Sequence, residues 1–167
     1  MSRILNRQAP ILLALCAVSM LGAAYVFQYW GGLAPCELCW WQRYVYMAAI
    51  PVALAAFALD GPGGGLHAGL LLGLLALVFA GSAGLAGYHV GVEQGWWEGP
   101  AACSAFALEG SLEDMVSKLI AAPVVRCDEV AWSLFGVSMA GYNAIISISL
   151  AGVSGWAALN RLKANHD

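Results

Sequence analysis

Four long stretches of this chain carry no formal charge: residues 8–36, 44–59, 61–92 and 130–160 contain no Asp, Glu, Lys or Arg. A helix crossing the hydrocarbon core of a bilayer needs about 20 apolar residues. Three of the stretches reach that length. The second approaches it once Trp40 and Trp41 are added, with only Arg43 interrupting. Lipid offers the backbone no hydrogen-bond partner, so a crossing segment must satisfy its own amides, and runs of this length do so as helices. The expected fold is therefore an all-α membrane protein in one domain, 1–167. It is a four-transmembrane-helix bundle with helices near 10–30, 41–59, 67–88 and 136–158, joined by outer loops 31–40 and 89–135. Composition agrees: 10% of residues are charged, against roughly 25% in soluble domains. That is too little polar surface to cover a water-soluble globule. No phosphate-binding glycine motif and no basic nucleic-acid patch interrupt the apolar runs.

The first run follows Arg3 and Arg7, which is also the layout of a secretory signal. Its length and its aromatic end, Tyr25, Phe27, Tyr29 and Trp30, predict a retained helix. Cleavage would leave the sidedness of the other helices unchanged. Sidedness itself follows from the basic residues. Arg3 and Arg7 precede the first helix, and Arg161 and Lys163 follow the last. The two outer loops carry eight acidic residues against Lys118, Arg126 and the border residue Arg43. Both termini are thus expected in the cytoplasm and both larger loops outside. Trp30, Trp40, Trp41, Trp96, Trp97 and Trp132 fall near that outer boundary, as an interfacial aromatic belt would.

The Asp-Gly-Pro-Gly-Gly-Gly turn at 60–65 makes the second and third helices neighbours. Small residues four apart, such as Gly69 with Gly73, Ala76 with Ala80, Ala140 with Ala144 and Ala151 with Gly155, predict close helix contacts. In the long outer loop, Ser111 and Asp114 form a capping pattern ahead of Leu112, Met115, Val116, Leu119 and Ile120, and Pro123 ends the run. This predicts a short amphipathic helix, either lying in the membrane surface or packed on the loop.

Cysteine placement carries the chemistry. Cys36, Cys39, Cys103 and Cys127 all fall in the two outer loops, whereas Cys16 lies inside the first run and is expected to be a buried small hydrophobe. The topology rests on Arg and Lys alone, so the coincidence is independent. The outer face of a bacterial-type inner membrane permits disulfides, and Cys36 with Cys39 and Cys103 with Cys127 suggest themselves as pairs. The second pair could be a plain staple. All four could together ligate one zinc ion, although the second pair lacks the usual short ligand spacing. The Cys36-Glu-Leu-Cys39 dithiol is a poor staple, because loop-closure stabilisation grows with loop length. It has the spacing of a redox dithiol.

A helix beginning near Cys36 would present free amide N–H groups that favour thiolate. Arg43, four residues beyond Cys39, would share its face and stabilise a Cys39 thiolate or an adjacent anion; alternatively it snorkels to the interface. Two dithiols in adjacent loops can exchange disulfides. One must meet a soluble protein and the other an electron acceptor. With no flavin or nucleotide motif at hand, a lipid-soluble acceptor, a quinone, is the expected one.

These features together resemble the DsbB family of disulfide-bond-formation membrane proteins: four helices, Cys36-x-x-Cys39 with Arg43 four residues on, and the Cys103/Cys127 pair. The resemblance covers essentially the whole chain. It implies a quinone-dependent protein-dithiol oxidoreductase of the bacterial inner membrane, with both cysteine loops periplasmic. Its partner would be a periplasmic DsbA-like oxidase of thioredoxin fold, and its acceptor ubiquinone or menaquinone, with no metal. It further implies that Cys103 receives the partner's attack, that Cys127 then attacks Cys36, and that released Cys39 faces the quinone with Arg43. His89, in Gly-Tyr-His-Val-Gly-Val-Glu, resembles the family histidine near the quinone; Glu93 gains no role. The competing classes are a disulfide- or zinc-stapled membrane protein without catalysis, and a thiol reductase running electrons outward.

Overall fold

A computed structural model of the chain describes residues 2–60, 65–100 and 125–164. Four helices dominate: α1 (Ser2–Tyr29), α2 (Glu37–Ala58), α3 (Gly65–Glu93) and α4 (Met139–Ala164). Each packs on its neighbours in sequence, and α4 closes the bundle against α1. The α3–α4 contact is the most extensive. Small residues permit part of it: a Cβ on Gly69 would lie 3.1 Å from the Leu162 side chain. One on Gly155 would touch Ala76 at an ordinary 3.8 Å, whereas Gly73 faces open space and Ala80 is exposed. Only some of the expected small-residue pairs therefore mediate contact.

The core runs along the bundle axis and is built from Leu13 and Ala17, Ala49 and Ala53, Leu72, Leu75 and Phe79, and Leu150 and Ala157. Outside it, the surface remains apolar: Leu77 is 72% exposed and Ile148 63%. A helix apolar on all faces suits a lipid surround. Within the described residues, three helices are long and apolar enough to cross a membrane, at Gln8–Tyr29, Gly65–Glu93 and Met139–Ala164. The 22-residue α2 carries Glu37 and Arg43 in its first two turns.

Three expectations change. Cys16 is exposed on α1, off the stripe formed by Leu13, Ala14 and Ala17. A face turned to lipid is as apolar as one turned to the core, so hydropathy could not tell them apart. The third helix continues to Glu93 instead of ending near 88. Its end is a Schellman motif, with Gly95 at φ +68°, Gly95 N–H bonded to Val92 O and Trp96 N–H to Gly91 O. Gly91 has no Cβ, and the Trp97 ring occupies that space. Trp97 stacks on Tyr88 and donates to the Tyr88 carbonyl at 2.9 Å.

The last helix begins at Met139 instead of 136, because a two-stranded antiparallel hairpin precedes it and adds a short β element to the expected all-α fold. β1 (Ser133–Leu134) pairs with β2 (Val137–Ser138). Phe135 and Gly136 at the turn both have positive φ, as a tight primed turn requires. Ser138 then caps α4, accepting from Gly141 N–H at 3.1 Å. The amphipathic segment expected at 111–123 lies outside the described residues.

Candidate redox site

The cysteine end of the bundle is organised by the start of α2. Cys36 is its N-cap, extended at φ −74° and ψ 174°, and its sulfur accepts from the Cys39 N–H at 3.3 Å. That capping bond brings the two Sγ atoms to 2.8 Å, both as free thiols. The pair shares its proton unequally. The Cys36 thiol donates to Cys39, and this bond, with burial and the facing negative charge, pushes Cys36 well above the ordinary thiol range. The same bond holds Cys39 down to about 7, aided by Cys36 at the cap and by the Arg43 guanidinium, against burial and Glu93. Cys39 lies just outside the 41–59 stretch expected to span. The thiolate therefore resides on Cys39, the sulfur nearer Arg43.

Arg43 does not reach for the interface; it is 7% exposed. It donates to Gln28 Oε1 at 2.5 Å and to the Ala24 carbonyl at 3.2 Å. Its guanidinium lies 5.0 Å from the ring centroids of both Tyr25 and Trp40. The arginine thus ties α1 to α2 while its charge stays beside Cys39. Trp40, expected as an interfacial anchor, is part of this clamp.

Cys127 is fully buried and disulfide-bonded. It packs in one apolar cluster with Cys36, Leu38 and Val92, with Cys39 and Tyr88 alongside. Cys103, its expected partner, lies outside the described residues. The fold therefore brings the second-loop cysteine onto the first-loop pair, and residues 91 positions apart in sequence share one cluster. A disulfide-bonded Cys127 presents no thiolate.

Cys36, Cys39 and His89 have ligand atoms within 4.8 Å of one another. Two thiolates on one tetrahedral zinc, each at ~2.3 Å, would sit ~3.8 Å apart. The 2.8 Å between these sulfurs suits shared-proton chemistry better.

His89 sits on the extended last turns of α3, its Nε2 3.7 Å from Cys36 Sγ and its Nδ1 2.9 Å from Gln42 Nε2. Four residues on, Glu93 accepts from Ser138 Oγ. A cavity of about 360 Å³ opens between α1, α2 and α4, lined by Cys39, Arg43, Gln42, His89 and Glu93 among apolar residues such as Met20 and Phe27. Gln28, Gln42, Tyr46 and Asn143 were not singled out from sequence. Polar side chains inside otherwise apolar runs are themselves a signal of a site, and Gln42 and Asn143 carried it.

The family model described as "Disulfide bond formation protein DsbB" matches residues 6–157. The chain belongs to the DsbB family. Among its DsbB relatives, Disulfide bond formation protein B of Marinobacter nauticus is 35% identical over 142 residues, 80% of each chain. That of Chromohalobacter salexigens is 34% identical over 164 residues, 89% of this chain and 91% of the relative. Disulfide bond formation protein B 2 of Pseudomonas syringae pv. syringae is 32% identical over 148 residues, 84% of this chain and 81% of the relative. No solved structure matches the chain. Membership in the DsbB family makes this a disulfide-forming membrane oxidoreductase.

Proposed function

We propose that the chain reoxidises a periplasmic DsbA-like dithiol oxidase and passes two electrons through Cys103/Cys127 and Cys36/Cys39 to a membrane quinone. It would do so from the bacterial inner membrane, as four spans with both termini cytoplasmic and both cysteine loops periplasmic. The observation that carries this reading is the burial of disulfide-bonded Cys127 in one cluster with the free Cys36–Cys39 pair, beside a cavity open to Cys39. A cavity of about 360 Å³ lies within the ~300–1,000 Å³ usual for small-molecule sites, apolar with a few placed polar groups. A quinone there supplies the two-electron, two-proton acceptor.

The chain's own residues divide the remaining work. The partner's two thiols become a disulfide as Cys103–Cys127 is reduced. The Cys127 thiolate attacks Cys36 Sγ, breaking Cys36–Cys39 and releasing Cys39 as thiolate. The Cys103 thiolate then attacks Cys127 Sγ, releasing Cys36 and closing Cys103–Cys127 again, which leaves the electrons on Cys36 and Cys39. Cys36 keeps a proton while Cys39 stays ionised near neutral pH, with Arg43 holding the negative charge at the cavity wall. Apolar Met20 and Phe27 help exclude water from that wall.

Purified protein given a reduced DsbA-like substrate should reduce quinone, and Cys39→Ser should abolish it. Absence of quinone reduction by the unmodified protein would leave only the staple. Quinol-driven reduction of the partner's disulfide, without the forward reaction, would establish the reductase.

Arg43 gives a second test. Cys39 alkylation in the unmodified protein should rise with pH around a midpoint of about 7. Arg43→Met should move that midpoint upward, toward the ordinary thiol range near 8.5, and raise the quinone KM or slow turnover. Because Arg43 is buried and bonded to Gln28 and Ala24, this variant should also lose stability, which a snorkelling arginine would not. An unchanged midpoint would make Arg43 purely structural.

A further inference from the structure

A polar chain runs from the bundle interior to the cysteines. Tyr46 Oη donates to Asn143 Oδ1 at 2.6 Å and meets Ser147 Oγ at 2.9 Å. Asn143 Nδ2 donates to Gln42 Oε1 at 2.5 Å. Gln42 Nε2 then faces His89 Nδ1 at 2.9 Å. Gln42, Asn143 and His89 are all buried, so each polar atom must find its partner inside the protein. Asn143 Nδ2 donates to Gln42 Oε1, so the part of the Gln42 amide turned to His89 is its NH2 group, which only donates. Nδ1 therefore accepts, and the proton of the neutral ring sits on Nε2. Asn143 and Tyr46 hold the Gln42 amide in that orientation.

The Nε2–H faces the Cys36 sulfur at 3.7 Å, and Cys127 packs in one buried cluster with Cys36. These belong to the two loops that must exchange a disulfide in the function proposed above, on which this step rests. From this geometry we infer that Gln42, set by Asn143 and Tyr46, is a positioning residue that fixes His89 as its Nε2–H tautomer, which points a donor at the Cys36 sulfur that Cys127 must attack. No bond is made or broken by Gln42. Its effect falls first on the exchange between loops, because fixing a tautomer makes the donor available in every molecule instead of a fraction. A free imidazole would spend part of its time as Nδ1–H, with a lone pair facing the sulfur.

The test begins with the unmodified protein. Nitrogen-15 spectra of ring-labelled histidine, with the His89 signals assigned by comparison with His89→Asn, should give one protonated nitrogen, Nε2, and one unprotonated, Nδ1, at neutral pH. An Nδ1–H ring, or an even mixture, overturns the inference without any further variant. It would do so whether or not the protein reduces quinone. Gln42→Leu removes the donor to Nδ1. It should turn the single tautomer into a mixture and slow transfer from the reduced DsbA-like partner to Cys36–Cys39 on the order of tenfold, the effect of one buried hydrogen bond. Gln42 also lines the cavity, so quinone reduction driven by a small dithiol that reduces Cys36–Cys39 directly is the reference rate for each variant, and the partner-driven rate should fall further than it. Equal loss by both routes would make Gln42 a general structural residue and overturn the assignment. Gln42→Asn, which keeps an amide but shortens its reach, should fall between Leu and the unmodified protein in both tautomer purity and transfer rate.

Discussion

Replacing Cys127 with alanine is expected to leave a thioredoxin-like partner covalently trapped on Cys103, in a mixed disulfide that survives non-reducing electrophoresis. Exchange needs an attacking thiolate, a target sulfur and a resolving thiol. With Cys127 gone, the Cys103 thiolate attacks the partner's disulfide, one S–S bond breaks and another forms, and no neighbouring thiol of this chain remains to release it. A partner retaining only its attacking cysteine, activated as a mixed disulfide with a small thiol, makes the adduct permanent. Cys103→Ala removes the target and should trap at background. Cys127 is buried in the cluster with Cys36, Leu38 and Val92, so its thiolate emerges beside the first pair and away from the partner. That burial is the physical source of the asymmetry.

A staple makes a different prediction. Loss of a disulfide closing a loop of this size costs ~3 kcal/mol, and both variants would lose it alike, with no partner captured by either. Both should retain quinone reduction driven by a small dithiol, since Cys36 and Cys39 are untouched. Equal trapping in the two variants, or none in either, would overturn the order of exchange.

The second large effect is expected at the opposite end of the bundle, where Arg161 on the last turn of α4 pairs with Asp60 in the turn after α2. Both side chains are largely buried, at 9% and 14% exposure. Asp60 Oδ2 finds no hydrogen-bond partner within the described residues. Removing Arg161 leaves the buried Asp60 carboxylate without its cation, at a cost of ~3–5 kcal/mol. Arg161→Ala should lower the unfolding midpoint in detergent sharply, and Asp60→Ala should lower it as well. The double variant should be less damaged than the sum of the two, because the orphaned charge is gone. The site lies a helix length away, about 33 Å along α2 from Cys36 at 1.5 Å per residue. Turnover measured below the unfolding midpoint should therefore stay near that of the unmodified protein. Additive single effects, each under ~0.5 kcal/mol, would reduce the pair to an ordinary surface contact.

Much of the architecture was legible because lipid imposes a coarse rule. Where water is absent the backbone must bond to itself, so charge-free runs announce helices whatever they pack against. The CxxC spacing was legible for a similarly local reason: an N-cap sulfur and the residue three positions on are neighbours by helix geometry, and Cys36 and Cys39 are placed that way. The faces of the helices were not legible. A residue turned to lipid and one turned to the core are equally apolar, which is how Cys16 was expected inside and lies outside. The end of α3 was misplaced by a turn because its stop is a glycine conformation at Gly95, preceded by Gly81, Gly84, Gly87 and Gly91, any of which could have ended it.

What the sequence by itself determined is a membrane-embedded helical chain of the DsbB kind, with a dithiol at the start of one helix and Arg43 on the same face. The tertiary structure decided what those residues touch. It buried Arg43 between α1 and α2 instead of at the interface, joined His89 to Gln42 and Asn143, and set Cys127 against Cys36. Each of these contacts joins residues at least 15 positions apart through hydrogen bonds or packing. Periodicity and hydropathy are averages over one helix. Such contacts depend on which way two helices face each other, and that is settled only when the bundle closes.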